Sequence, residues 1–191
     1  MILEFIILGG SLKTKISDYA YLLSIAVSIV IFDQITKWLV RQNLAFEEAW
    51  APWNWLLPYA RIVNWHNTGI AFGMFQNGNT VFIILSILIS IGILYYYPKV
   101  AHEEGFLRFA MGLQLGGAVG NLIDRIRQGY VTDFVSLGIF PVFNVADSSI
   151  SIGVAILLVG VWIMDMRNKK IQQPAPEDGT GDPEKVPEDQ K

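Results

Sequence analysis

The chain has 191 residues, 52% of them hydrophobic and only 16% charged, where a soluble domain carries about 25% charged residues, so much of its surface is suited to lipid. It contains no cysteine, which excludes disulfides, thiol nucleophiles and cysteine-based zinc sites. The net charge of -3 conceals a segregation: acids crowd the C-terminal tail while Lys and Arg gather at the flanks of apolar stretches, leaving no basic face for nucleic acid.

Residues 1–12 are apolar but include Glu4, lack a basic start and offer no small-residue cleavage site before Lys13. They read as a cytoplasmic or interfacial segment, extending to about residue 18, rather than as a signal peptide. Four stretches then approach the roughly 20 apolar residues needed to cross a hydrocarbon core: 19–40, 80–97, 106–123 and 148–165. Lys13 and Lys15 precede the first, Lys99 and Arg108 flank the turn between the second and third, and Arg167, Lys169 and Lys170 follow the fourth. The positive-inside rule then predicts that both termini are cytoplasmic. Lys37, Arg41, Arg61, Arg125 and Arg127 fall on the outer side, several of them next to acids.

The first span carries Asp33 and Lys37, four residues apart and so on one helical side. This predicts an ion pair with a packing and orienting role, since a neutralised pair is a poor acid or base. Between the first two spans, Trp50, Trp53, Trp55, Tyr59 and Trp65 suit the headgroup level and predict a segment lying on the outer surface. The alternation in 61–66 and again in 131–135 permits short strands, hence a small extracytoplasmic β-element. The third span repeats Gly112, Gly116 and Gly120 every four residues, a stripe that admits another helix backbone. Asp124 continues that stripe, three residues after Asn121.

The fourth span opens with Asn144 three residues before Asp147, followed by Ser148 and Ser149, so that Asp147 reads as a helix N-cap. Beyond residue 167 the Pro-, Glu- and Asp-rich tail has no apolar periodicity and is expected to be disordered.

Ionisable residues near membrane depth are costly and point to function. Asp124, Asp133 and Asp147 gather at one boundary, and an aspartic mechanism needs two close carboxylates, one ionised to take a proton from water and one protonated to polarise the scissile carbonyl. Spacing alone leaves open whether Asp124 or Asp133 partners Asp147. His66 and His102 fall on opposite sides and no HExxH pattern is present, which argues against a zinc peptidase. A Ser148 or Ser149 nucleophile with Lys37 as base is the weaker reading, because a Ser-Ser pair at a helix start usually caps it. A small transporter or channel is the rival class; the second span, uncharged from Val81 to Tyr97, argues against it.

Five segments together resemble the lipoprotein signal peptidases, also called signal peptidase II: Asp33-Gln34-Ile35-Thr36-Lys37, Asn67-Thr68-Gly69-Ile70-Ala71-Phe72-Gly73, the run from Gly116 through Asn121 to Asp124 and Arg125, Val131-Thr132-Asp133-Phe134, and Phe143-Asn144-Val145-Ala146-Asp147-Ser148. The resemblance covers about residues 19–165; Ile70 departs from it, standing where many relatives have Ala. It implies an all-α polytopic protein, four transmembrane helices with a small extracytoplasmic β-cradle and interfacial segment, whose peptidase domain spans 19–167 ahead of a tail at 168–191. It implies an aspartic endopeptidase of the bacterial cytoplasmic membrane, needing no metal or other cofactor, that cuts diacylglyceryl-modified prolipoproteins just before the lipidated Cys. Its partners would be that substrate and membrane lipid. The same resemblance places catalysis on Asp133 and Asp147 near the outer face, supporting roles on Asn67, Asn121, Asp124, Arg125 and Asn144, and a structural role on Asp33 and Lys37.

Overall fold

A computed structural model describes residues 16–69 and 78–172. The expected N-terminal interfacial segment, the tail from residue 173 and the Ile70 departure within 70–77 lie outside the described residues. Among the described residues four helices are long and apolar enough to cross a membrane: α1 (Ile16–Asn43), α2 (Gly78–Tyr96), α3 (Gly105–Gln128) and α4 (Val145–Gln172). This is a mostly helical multi-pass membrane protein with a small open sheet. Helices α1 and α4 overrun the limits of 19 and 167 read from the sequence, because polar residues at both ends continue the helical backbone.

Burial ranks the helices. The most apolar window of α3 is 67% buried, against 17–22% in the other three, and α3 packs against each of them. It is the least apolar span, so its weak hydropathy marks the helix surrounded by protein, while α1, α2 and α4 turn Phe32, Leu88 and Leu158 outward toward lipid. The glycine stripe is what brings α1 close. A methyl added at Gly116 would meet the Ala26 carbonyl oxygen at 2.8 Å and Ile29 Cβ at 2.7 Å, and one at Gly120 would meet Asp33 Oδ2 at 2.8 Å. The neighbouring Gly117 does the same for α4, facing the Ala146 carbonyl.

The two strands predicted at 61–66 and 131–135 form, with a third at 49–50. Strands β1 (Ala49–Trp50), β2 (Ala60–Asn67) and β3 (Val131–Leu137) make an antiparallel sheet in that order. Its register puts Ile62 opposite Val135 but Trp65 opposite Asp133, so three steps on β2 match two on β3 and β2 bulges at Val63 and Asn64. Asn64 fixes the bulge by donating from Nδ2 to the Leu44 carbonyl at 2.9 Å. Gly129, left-handed at φ 80, ends α3 by donating to the Arg125 carbonyl and turns the chain into β3. Trp50, Trp53, Trp55 and Tyr59 are exposed around the sheet. At the far end of the bundle Lys99 lies over the Tyr95 ring at 3.7 Å, and Arg108 packs on buried Tyr97.

Replacing Gly116 with Val should lower stability by about 1–3 kcal/mol through overpacking. Gly92→Ala, where an added methyl meets nothing within 4 Å, should be neutral or slightly stabilising. Thermal unfolding in detergent followed by tryptophan fluorescence measures both, and equal midpoints would rule out the close α1–α3 approach.

Candidate active site

The site is built on a buried polar cluster between α1 and α3. Lys37, Asp33 and Asp124 are each fully buried. Lys37 Nζ lies 2.8 Å from Asp33 Oδ2, the predicted pair, and also 3.1 Å from Asp124 Oδ2 and 2.9 Å from Asn121 Oδ1. One ammonium thus compensates two carboxylates, a partner the four-residue spacing could not reveal. Asp33 uses its other oxygen to accept the Ala146 backbone N–H at 3.0 Å, holding the first turn of α4.

Asp124 is engaged on both oxygens. Besides Lys37, its Oδ2 accepts the Thr132 N–H at 3.1 Å; its Oδ1 accepts Gln34 Nε2 at 3.1 Å and Gln128 Nε2 at 3.3 Å, with Arg41 Nη1 at 3.8 Å. Arg41 also donates to Thr132 Oγ1 at 2.9 Å. These bonds fasten the start of β3, one residue before Asp133, to the helical bundle. Gln34, Arg41, Gln128 and Thr132 belong to this support, yet none was singled out as a site residue from the sequence. Gln34 and Thr132 stand within the Asp33–Lys37 and Val131–Phe134 motifs, the signal that could have found them, whereas Arg41 and Gln128 stand in none.

The start of α4 corrects one expectation. The helix begins at Val145, so Asn144 and not Asp147 is the N-cap: Asn144 Oδ1 accepts the Asp147 N–H at 2.9 Å, and Asp147 Oδ2 accepts the Asn144 N–H at 3.2 Å. This is a reciprocal capping box with Asp147 in its third helical position. Asp147 Oδ1 accepts Asn121 Nδ2 at 2.8 Å.

Asp133 faces the same point from β3. It is 1% exposed; Asn144 Nδ2 donates to its Oδ1 at 2.6 Å and Asn67 Nδ2 to its Oδ2 at 2.8 Å. Each carboxylate oxygen keeps a further lone-pair direction for a proton, water or substrate. Burial, and then repulsion from Asp147, pushes the Asp133 carboxyl up to about 7, against the hydrogen bonds from Asn67 and Asn144. Asn144 therefore bonds both carboxylates at once, while Asn121 connects Asp147 to Lys37. Arg125 lies within electrostatic reach of Asp147, Asp133 and Asp124 and stacks over Phe82 at 5.0 Å, with its Nε buried and unpaired among the described residues. Ser148 and Ser149 donate to carbonyls four residues back, Asn144 and Val145, as helical hydroxyls do.

Eight of the nine site residues named from the sequence fall in one hydrogen-bonded network of two tiers, and Arg125 lies beside it within electrostatic reach of Asp147, Asp133 and Asp124. Asp133, Asp147, Asn67, Asn121 and Asn144 form the upper tier, and Asp33, Lys37 and Asp124 lie beneath it.

Known proteins share this arrangement of chain. The family described as Signal peptidase (SPase) II matches residues 25–163. A lipoprotein signal peptidase of Symbiobacterium thermophilum is 41% identical over 149 residues, covering 75% of this chain and 95% of that one. One from Staphylococcus aureus is 37% identical over 151 residues, covering 76% and 90%. Two solved structures, each described as a bacterial membrane enzyme, superpose with TM-scores of 0.70 and 0.68 at 34% identity; the first covers 82% of this chain and 95% of its own.

The charge balance of the lower tier predicts an asymmetry. Lys37→Met leaves two buried carboxylates facing each other and should cost about 3–5 kcal/mol. Asp33→Asn leaves Lys37 paired with Asp124 and should cost less. Comparing the unfolding midpoints and folded yields of the two variants in detergent tests this, and a larger loss for Asp33→Asn would contradict it.

Proposed function

The chain belongs to the signal peptidase II family, and from that premise we propose that it acts as an aspartic endopeptidase on prolipoproteins, with Asp133 and Asp147 as the catalytic pair. The observation that carries the assignment is the single Asn144 side chain and backbone bonded to both carboxylates. Asp124 is the poorer partner for Asp147, because Lys37 and the donors from Thr132, Gln34 and Gln128 already occupy it.

The two acids divide the work by environment. Asp147 sits in the first turn of α4, where the helix dipole favours negative charge, and takes donors on both oxygens; it is the base. Asp133, with its carboxyl raised, carries the proton. Water held between them gives a proton to Asp147 as its oxygen attacks the scissile carbonyl carbon, while Asp133 donates to the carbonyl oxygen. Collapse of the resulting gem-diol breaks the C–N bond, with the proton on Asp147 passing to the leaving amine and Asp133 regaining its own. Asn67, Asn121 and Asn144 hold the two carboxylates in register, and Arg125 supplies positive potential beside them. The domain performing this extends over residues 19–167.

The substrate reading is finer than the family alone. A diacylglyceryl group on the Cys after the cut would hold the precursor in the bilayer, entering sideways between helices with its scissile bond at the level of the dyad. This requires the sheet and the dyad at the outer face of the bacterial cytoplasmic membrane and both termini inside. The outward-facing tryptophans around the sheet and the basic residues at the opposite ends of the spans support that orientation.

With purified protein, the lipid-modified precursor should be cut and the unmodified one cut poorly. Asp133→Asn and Asp147→Asn, which keep shape but not proton transfer, should each reduce the rate per folded molecule by about 10²–10⁴-fold. Asp133 must be protonated, so the rate should fall as pH rises through about 7. Substantial activity in Asp133→Asn alongside none in Asp124→Asn would reassign the pair. In cells, tags placed near Glu47 or Gln128 should be labelled from outside, and tags at either terminus or in 99–105 should not; a surface-accessible C-terminus would put the dyad on the wrong side.

A further inference from the structure

A polar cleft lies beside the support of the two carboxylates, between α1 and the last turn of α3. It has a volume of about 390 Å³ and is lined by Gln34, Trp38 and Arg41 of α1 and Arg127 and Gln128 from the last turn of α3, within the roughly 300–1,000 Å³ usual for small-ligand sites. Gln34, Trp38 and Arg41 are spaced by four and three residues and so share one face of α1. No acidic side chain lines the cleft among the described residues.

The charges around it do not balance. Below, Asp33 and Asp124 are offset by Lys37 and Arg41. Arg127 is exposed and pairs with no acidic side chain among the described residues. A guanidinium at the edge of a bilayer span is costly unless an anion meets it, and guanidinium groups bind phosphate oxygens with matched geometry. The surface leading to the cleft is apolar. Ile31, Ile35 and Trp38 run along exposed α1 to its mouth, and Ile126 is exposed beside Arg127. An anion with hydrocarbon attached fits both features, where a free anion uses only one.

We infer that this cleft binds the phosphate of an anionic phospholipid headgroup, with Arg127 and Arg41 on the phosphate and acyl chains along the Ile31–Ile35–Trp38 ridge. The site is independent of which aspartates are catalytic. Its occupancy reaches them nonetheless, since Gln34 and Gln128 also hold Asp124 and Arg41 also holds Thr132, the residue before Asp133. A bound headgroup would order these side chains and stiffen the start of β3.

The test is thermal unfolding of the purified full chain in dodecyl maltoside with added phosphatidylglycerol, phosphatidylcholine or inorganic phosphate. Phosphatidylglycerol should raise the midpoint well above the level reached with phosphatidylcholine, and inorganic phosphate should not. Arg127→Gln should remove most of the difference between the two lipids and Arg127→Lys should retain part of it. Arg61→Gln, which removes the same charge from an exposed position on β2, should leave it intact. Equal stabilisation by the two lipids, a difference that survives Arg127→Gln, or its equal loss in Arg61→Gln would overturn the site; a shift reproduced by inorganic phosphate alone would overturn the lipid as its ligand.

Discussion

The arrangement depends on one buried ammonium. Lys37 contacts Asp33 in its own helix and Asp124 and Asn121 in the central helix. A charged group with no water around it is tolerated only when each partner is held in place. Meeting that condition fixes the rotation of α1 against α3, and each partner passes the constraint on. Asp33 reaches Ala146 at the start of α4, Asp124 reaches Thr132 at the start of β3, and Asn121 reaches Asp147. The two proposed catalytic carboxylates thus stand on elements that are both tied, within two or three bonds, to the same nitrogen.

Close packing makes that tie possible. Lipid tails are as apolar as side chains, so membrane helices associate through contact and hydrogen bonding rather than through hydrophobic burial. Glycines at 112, 116 and 120 let α1 approach until Ala26 and Ile29 touch the α3 surface, and Gly120 leaves the space that Asp33 fills. A side chain at Gly120 would displace the carboxylate that neutralises Lys37. The packing stripe and the polar cluster are therefore one device viewed at two depths.

The upper tier sets two identical acids in different surroundings. Asp147 belongs to a capping box, where its carboxylate accepts the Asn144 backbone N–H and stands at the positive end of the α4 dipole. Asp133 is on a strand, with side-chain amides as its donors and Asp147 as a neighbour, and its proton is held to about pH 7. The bulge in β2 contributes to this. It shifts the register so that Trp65 lies opposite Asp133, with Asn67 two residues along on the same face and within reach of the carboxylate.

Local order along the chain determined much of this. The four spans follow from runs of apolar residues long enough to cross a bilayer, the Asp33–Lys37 pair from one helical turn, the glycine stripe from a four-residue period, and the two longer strands from alternation at 61–66 and 131–135. Each is a short-range pattern that backbone geometry converts directly into structure. Tertiary contact decided the rest. Asp124 reaches Lys37 from 87 positions away, and nothing near either residue announces it. The Asn144–Asp147 spacing was visible, but which of the two caps α4 depends on where the helix begins, and that start is held by Asp33 from another helix. Spacing likewise left Asp124 and Asp133 as equal partners for Asp147; they part only when folding surrounds Asp124 with donors and a cation and leaves Asp133 buried beside a second acid, because a carboxylate's chemistry is set by the groups brought against it in space.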